Sequence, residues 1–122
     1  IVLAIINSNN NFHVKLYEKS KVKCQFLREV INKLNIKCTL FDNDYQSHII
    51  DSDYIVCRAF KKLPELLRIS REKVKKPHKL IVLKGKNAQA EIDKALRVYS
   101  FKYKLISSVT DAKSKILIVD AK

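Results

Sequence analysis

Along this chain the spacing of apolar residues switches between every second position and every third or fourth position. From Phe12 to Glu18 apolar and polar residues alternate, which predicts a β-strand. Ser20 follows, and serine is a residue type that caps helix N-termini. The next apolar residues recur every four positions and predict a helix with one wide, buried apolar stripe. The stripe consists of Val22, Phe26, Val30 and Leu34, with Leu27 and Ile31 beside them.

The alternation of strand and helix patterns continues to the end of the chain. Lys79 to Lys84 contains an unbroken apolar run, which is typical of a strand covered on both faces. Pro64 suits the first turn of a helix, because the N–H that proline lacks has no partner there. Further strands are predicted over Ile36–Phe41, Tyr54–Cys57, Tyr103–Val109 and Lys115–Val119, and further helices over Leu63–Val74 and Asn87–Val98.

This order of elements predicts an α/β fold in a single domain over residues 1–122. Repeated strand–helix units indicate a parallel sheet with helices on both faces. Only Thr110–Ser114 separates the last two strands, so we expect an antiparallel hairpin there. The opening Ile1–Ile6 is ambiguous, because its local pattern favours a buried strand while part of a helix would look the same.

The charge balance points to a polyanionic partner. The chain has 25 Lys and Arg against 12 Asp and Glu, a net charge of +13, which favours binding to nucleic acid. The alternative is a genome bias, since Lys, Ile and Asn are all abundant and AT-rich coding produces them without selection for binding.

The cysteines and histidines argue against several other classes of protein. Cys24, Cys38 and Cys57 are scattered without a C-x-x-C pair, which argues against a disulfide framework or a zinc knuckle. Buried reduced thiols and a cytoplasmic protein are expected instead. The histidines show no ligand spacing and no apolar run approaches the ~18 residues of a membrane span, so we expect no metal and no membrane partner. The chain has no Met, so Ile1 is not a translation start. We also expect the protein to be a monomer.

Arg58 is the strongest candidate from the residues alone. It follows the apolar strand that ends at Cys57, and a helical pattern begins soon after it. In open α/β sheets, ligands bind in the crevice outside the carboxyl ends of the strands. A guanidinium there is positioned to meet a phosphate, a carboxylate or a base edge.

Four segments, in order along the chain, resemble the glucose-inhibited division protein B family. The most specific are Asp53–Phe60, which ends in Arg-Ala-Phe, and Val82–Gly85, which ends in Leu-Lys-Gly. Glu18–Ser20 with Lys23–Leu27 resembles the family's acidic strand end and the helix after it, and Ile116–Val119 its final strand. Members are 16S ribosomal RNA guanine-N7 methyltransferases that use S-adenosylmethionine. The resemblance implies a Rossmann-like class I methyltransferase sheet, mostly parallel with a C-terminal antiparallel hairpin, and 16S RNA or the small ribosomal subunit as partner.

At several positions this chain departs from the pattern of the family that it resembles. The family's first strand and glycine-rich loop would precede Ile1 and are absent, so Ile1–Ile6 corresponds to the helix after that loop. Asn43–Gln46 lacks the arginine and glutamate of the family pattern, and Ser114-Lys115 stands in place of an Arg-His pair. We therefore expect methyl transfer to be impaired in this chain and its affinity for S-adenosylmethionine to be low.

The resemblance implies a cofactor-binding role for four residues near the ends of the first two strands. Glu18 would accept hydrogen bonds from the ribose hydroxyls. Its alternative role is a charge that the N-terminus of the following helix favours. Asp42, Asn43 and Asp44 would contact the exocyclic amine of adenine, and their alternative role is turn formation, for which these residue types are suited anyway.

The remaining candidates concern RNA. Arg58 would be the catalytic residue that orients an RNA phosphate or the target guanine, and its alternative is a surface salt bridge. Methylation at guanine N7 needs no general base because that nitrogen offers a lone pair, so catalysis would consist of alignment. Tyr45 and Phe60 would stack on a base or pack in the core. A cationic rim for the RNA backbone, or alternatively a solvated run of charges, is formed by Lys84, Lys86, Lys75 and Lys76, with Arg71, Lys73 and Lys79.

Two other classes remain open. The first is a non-catalytic basic RNA-binding module or the product of a decaying gene. The second is another doubly wound domain, such as a phosphate-signalling receiver. That domain needs clustered acids around a metal, and Glu18, Asp42 and Asp44 are few and poorly placed for it.

Overall fold

The computed structural model describes residues 1–7, 12–43, 49–58 and 61–121. The chain divides into two compact units, Ile1–His48 and Ile49–Lys122. The prediction of a single domain over residues 1–122 stays a prediction. Asp44, Tyr45 and Phe60 of the candidate residues lie outside the described residues.

The first unit contains two parallel strands and two helices. Helix α1 spans Val2–Ile6, β1 Val14–Tyr17, α2 Lys21–Leu34 and β2 Cys38–Phe41. The strands β1 and β2 pair in parallel. The first residues are thus helical, as the resemblance implied and against their local strand pattern.

Helix α2 begins and ends as its sequence dictates. The Ser20 hydroxyl accepts a hydrogen bond from the Lys23 backbone N–H at 3.4 Å, which confirms the predicted cap. Asn35 ends the helix in the left-handed region at φ 49°, a conformation that asparagine adopts more readily than most residues.

The buried stripe predicted for α2 is wrong in part, because Leu27, Val30 and Ile31 are half-buried but Val22, Phe26 and Leu34 are exposed. Val22 is 80% exposed and Phe26 60% exposed, whereas Cys24 is buried and Leu27 and Ile31 are half-buried. The helix therefore packs through the side on which positions 24, 27 and 31 recur at three- and four-residue spacing. A unit with only two paired strands offers too little apolar surface to cover the wider stripe.

The second unit is a four-stranded sheet with two helices. The sheet order is β3-β4-β6-β5, with β3 parallel to β4 and β6 antiparallel to both of its neighbours. The predicted antiparallel hairpin between the last two strands is thereby confirmed. The elements are β3 Tyr54–Arg58, α3 Leu63–Lys73, β4 His78–Lys84, α4 Ala88–Leu96, β5 Lys102–Ser107 and β6 Lys115–Ala121.

One face of this sheet carries the core. Leu80 and Val82 of β4 are buried with residues of β6, α3 and α4 in a single cluster, so both helices cover the same face. On the opposite face Val56 is 46% exposed and Leu83 39% exposed. The expectation that β4 is covered on both faces is therefore wrong within this unit. An unbroken apolar run in a strand does not reveal whether helices cover one face of the sheet or both.

Candidate functional site

In the first unit, the parallel pairing of β1 and β2 brings two carboxylates to one edge. Tyr17 stands opposite Phe41 at the last paired position, and their rings stack with centroids 4.7 Å apart. Glu18 and Asp42 follow these residues directly, so both side chains emerge at the carboxyl edge of the two strands. Burial raises the pKa of the Tyr17 phenol, which keeps that neighbour neutral. The structure thus brings together two of the predicted cofactor-binding residues.

Glu18 is half-buried and joins the end of β1 to the start of α2. Its Oε1 accepts a hydrogen bond from the Ser20 N–H at 3.0 Å, and its backbone carbonyl accepts one from Cys24 Sγ at 3.0 Å. The first contact is the helix-terminus role that the sequence left open. The other carboxylate oxygen, Oε2, accepts no hydrogen bond within the described part of the chain and remains available to a ligand.

Asp42 is exposed and paired. Arg28 of α2 donates from Nη2 to Asp42 Oδ2, with both side chains about half exposed. The second oxygen, Oδ1, has no partner among the described residues. Asn43 beside it is exposed. The pairing with Arg28 was not predicted, because the two residues are 14 positions apart and nothing in the spacing joins them.

In the second unit, Arg58 ends β3 at the carboxyl edge of the β3–β4 pair, opposite Leu83. Its side chain is exposed and forms no hydrogen bond or ion pair with any other described residue. The salt-bridge alternative therefore finds no support in residues 49–58 and 61–121. With no partner among the described residues, the guanidinium offers its N–H donors to a ligand at this edge.

Lys84 lies at the same edge, but its ammonium is occupied. Nζ contacts Glu91 Oε1 at 2.9 Å and donates to the Lys61 carbonyl at 3.0 Å, and the side chains of Lys84 and Glu91 are only 12% and 17% exposed. The same Glu91 oxygen accepts the Leu63 N–H at 3.2 Å at the start of α3. This network therefore joins β4, α3 and α4. Sequence reasoning missed Glu91, and no short-range signal marks it, because its partners come from two other elements.

The predicted cationic rim is divided between two edges of the sheet. Lys86 is exposed beside Gly85 at the carboxyl edge of β4, whereas Lys75 and Lys76 precede the amino end of that strand. The seven residues of β4 separate the two groups by about 20 Å. Lys76 also pairs with Asp51 at 2.7 Å and Asp53 at 3.2 Å, and hydrogen bonds to these two acids raise its pKa. The RNA-binding role of the lysines stays a prediction.

Cys57, next to Arg58, should react slowly with alkylating reagents. Burial raises the pKa of its thiol to about 11, against the lowering effect of the Lys84 charge. At pH 8 the folded protein should hold roughly 100-fold less thiolate at this position than a thiol of ordinary pKa 9.0, because each pKa unit is tenfold. Mass spectrometry after N-ethylmaleimide treatment should show Cys57 protected in the folded protein and labelled in urea.

The same shift has a consequence for stability at high pH. The folded protein holds the Cys57 proton more tightly than the unfolded chain does, so the free energy of unfolding should fall as the pH rises from 9.0 towards about 11.

In the labelling experiment, equal labelling rates of Cys57 with and without urea at pH 8 would contradict the buried, protonated thiol.

Within residues 1–7, 12–43, 49–58 and 61–121, no three His, Cys, Asp or Glu side chains lie together as a set of metal ligands. None of the helices in the described ranges has both the length and the apolar content to cross a bilayer.

Two solved methyltransferases share the fold of this chain. The tRNA (uracil-54, C5)-methyltransferase of Pyrococcus abyssi, solved with S-adenosyl-L-homocysteine, matches with a TM-score of 0.63 and 12% identity over 98% of this chain and 29% of its own. The plantazolicin methyltransferase BpumL, solved with SAH, matches with a TM-score of 0.64 and 12% identity over 96% of this chain and 70% of its own. At this level of identity the likeness shows the fold alone. The Rossmann-like class I methyltransferase fold is thereby confirmed.

Curated relatives are closer in sequence. The ribosomal RNA small subunit methyltransferase G of Pelagibacter ubique (strain HTCC1062) is 33% identical over 118 residues, which cover 96% of this chain and 55% of the relative. The protein of the same name from Orientia tsutsugamushi (strain Ikeda) is 33% identical over 117 residues, which cover 96% of this chain and 57% of the relative. The chain thus spans about half the length of the curated relatives it matches.

The match to a family model extends over nearly the whole chain. It covers residues 1–118, and the model is described as rRNA small subunit methyltransferase G. This range includes Glu18, Asp42 and Arg58 with the strand ends that carry them. The match confirms the resemblance seen in the sequence: the chain belongs to the GidB family, rRNA small subunit methyltransferase G.

Proposed function

We propose that this protein transfers a methyl group from S-adenosylmethionine to guanine N7 in 16S ribosomal RNA. Family membership supports the reaction, and the net charge of +13 supports an RNA substrate, since phosphate backbones attract Lys and Arg. The cytoplasm as location and a monomer as the active form stay predictions. The free state of Cys24, Cys38 and Cys57 agrees with a reducing compartment.

The observation that carries the proposal is the pair of carboxylates at the carboxyl edge of β1 and β2. Glu18 and Asp42 emerge side by side, and each keeps one oxygen without a partner among the described residues. Two such acceptors fit the hydroxyl and amine donors of a nucleoside, so the residues present suit the adenosine part of the cofactor. When bound, the cofactor supplies the electrophilic methyl group. Glu18 and Asp42 would bind and orient its nucleoside.

The second unit would supply the contacts to RNA. Arg58 presents donors at the carboxyl edge of β3 that have no partner among the described residues, and the fork of its guanidinium matches a phosphate or the O6 and N7 edge of guanine. Lys86 is an exposed cation at the neighbouring strand end. Guanine N7 already carries a lone pair, so these side chains would accelerate the reaction by holding the base in position and not by removing a proton.

Replacing Arg58 by alanine should lower methyl transfer by about 10- to 100-fold, the effect of losing one charge-assisted hydrogen bond of roughly 1.5–3 kcal/mol. The assay measures transfer of a labelled methyl group to 16S RNA by the protein as its gene encodes it. Strand scission at N7-methylated guanine then identifies the modified atom. Arg97→Ala, which removes an exposed arginine at the end of α4, is the matched control and should leave transfer unchanged.

The charge of the chain favours one other function, a non-catalytic basic RNA-binding protein. The same preparation distinguishes the two. Salt-dependent RNA binding without any incorporation of label would contradict methyl transfer and support the binding function. Label at a position other than guanine N7 would retain the enzyme class and reject the proposed target atom.

A further inference from the structure

The start and the middle of helix α2 contact both carboxylates at the carboxyl edge of β1 and β2. The Ser20 N–H at the N-cap donates to Glu18 Oε1 at 3.0 Å, and Arg28 donates from Nη2 to Asp42 Oδ2. Each contact uses one carboxylate oxygen and leaves the other without a partner among the described residues. The helix therefore sets the direction in which each acid presents its remaining oxygen.

Helix α2 is itself fixed to the end of β1. Cys24 is 1% exposed, and its Sγ donates to the Glu18 carbonyl at 3.0 Å. Leu27, next to Arg28 in the chain, is half-buried. The backbone from which Arg28 extends is thus held relative to β1, and β2 is held to β1 by parallel pairing. A side chain on such a support fixes its partner more precisely than a side chain on a loop does.

The ion pair between Arg28 and Asp42 has more effect on orientation than on stability. The two side chains are 52% and 55% exposed, and exposed ion pairs contribute little to folding because water screens their charges. The N–H groups of a guanidinium lie in one plane in a rigid fork, so the carboxylate that they bind is restricted in orientation. The pair thus restrains Asp42 Oδ1, the oxygen available to the adenine amine.

The orientation of Asp42 bears on the choice of base. Adenine carries an amine at C6, which donates to a carboxylate oxygen. Hypoxanthine, the base of inosine, carries an oxo group at C6 and a hydrogen on the neighbouring N1. An oxygen fixed towards C6 repels the oxo group, whereas a carboxylate that is free to turn can accept the hydrogen on N1. Restraint of Asp42 therefore makes a general acceptor selective for the amine.

We propose that Arg28 is a positioning residue that selects the base of the cofactor through Asp42. By holding Oδ2 it aims Oδ1 at the exocyclic amine of adenine, and the protein consequently favours adenosine over inosine. This role of Arg28 rests on the proposed function, because it takes S-adenosylmethionine as the ligand. It concerns binding and not the transfer step.

Calorimetry with two ligands tests this role on the protein as its gene encodes it. S-adenosyl-L-homocysteine has the amine, and S-inosyl-L-homocysteine has the oxo group. The wild type should bind the first roughly 10- to 100-fold more tightly, the effect of one hydrogen bond to a charged group. Arg28→Met, which keeps an unbranched side chain but removes the donors, should lower this ratio to about threefold or less. Partial unfolding weakens both ligands by the same factor, so the ratio reports on the site and not on stability.

Two further variants show whether Arg28 acts through Asp42. Asp42→Asn should itself lower the ratio, because an amide can turn either its oxygen or its NH₂ group towards C6. Adding Arg28→Met to Asp42→Asn should then change the ratio no further. Lys33→Met removes an exposed cation from the last turn of the same helix and should leave the ratio unchanged.

Each other result contradicts a different step. An unchanged ratio in Arg28→Met would overturn the role of Arg28 and leave the proposed function intact. A further fall on adding Arg28→Met to Asp42→Asn would show that Arg28 contacts the base directly, which also overturns the positioning role. Equal affinity of the wild type for the two ligands would overturn the selection of adenine. If the wild type bound neither ligand, S-adenosylmethionine would be rejected as cofactor, and the proposed function with it.

Discussion

Replacing Leu67 by alanine should lower the free energy of unfolding by about 3 kcal/mol, within the range of about 2–5 kcal/mol for deleting a buried leucine side chain. Leu67 is fully buried in α3 and packs in the cluster that joins both helices to β4 and β6. Its removal would leave a cavity between layers that meet only through such side chains. Urea unfolding followed by circular dichroism measures the loss.

Leu96→Ala is the matched control for this experiment. Leu96 ends α4 and is 42% exposed, so the same chemical change should cost less than about 1 kcal/mol. Losses of equal size in the two variants would contradict the location of the core on the helix-covered face of the sheet. An unchanged slope of free energy against urea would show that both variants unfold from comparable folded states.

The elements of this fold could be predicted because local patterns determine them. All the strands and helices predicted between Ile36 and Val119 are present, with ends shifted by no more than two residues. Their signals are local: Pro64 in the first turn of α3, alternating or continuous apolar runs in the strands, and a short loop before β6. The helix at Val2–Ile6 was different, because five apolar residues carry no period and only the family resemblance resolved them.

Burial could not be predicted as well, because it depends on what packs against each face. The apolar stripe of α2 is real as a pattern, yet Val22 and Phe26 are exposed and Cys24 is the buried residue. The apolar run in β4 likewise has one covered face and one with Leu83 39% exposed. A sequence states which side chains favour burial, and the number of layers determines which of them are buried.

The candidate site shows the same division. Glu18 and Arg58 could be placed at strand ends from the sequence, and in the structure Glu18 directly follows β1 and Arg58 is the last residue of β3. The contacts of Asp42 and Glu91 could not be predicted, because their partners come from distant elements. Arg28 reaches Asp42 across 14 positions, and Glu91 reaches the Leu63 N–H across 28.

Replacing Lys84 by methionine should lower the free energy of unfolding by about 3 kcal/mol, a typical cost of breaking a largely buried ion pair on one side. The substitution keeps the length of the side chain but leaves the Glu91 carboxylate without its cation at 17% exposure. It also removes the hydrogen bond to the Lys61 carbonyl before α3. Urea unfolding measures the effect, and Lys79→Met on the same strand is the control. The Lys79 pair with Asp120 is about half exposed at 3.5 Å and should contribute less than about 1 kcal/mol.

The double variant Lys84→Met/Glu91→Gln decides between two roles for Lys84. If the ammonium serves the fold, the double variant should lose about 1–2 kcal/mol less than the sum of the single variants, because the neutral amide leaves no uncompensated charge and its oxygen still accepts the Leu63 N–H. If Lys84 instead serves RNA, as its position in the sequence suggested, Lys84→Met should weaken RNA binding while unfolding changes no more than in Lys79→Met. The short distance to Glu91 and the low exposure of both side chains favour the first result, which would leave Arg58 and Lys86 as the cations available to RNA at this edge.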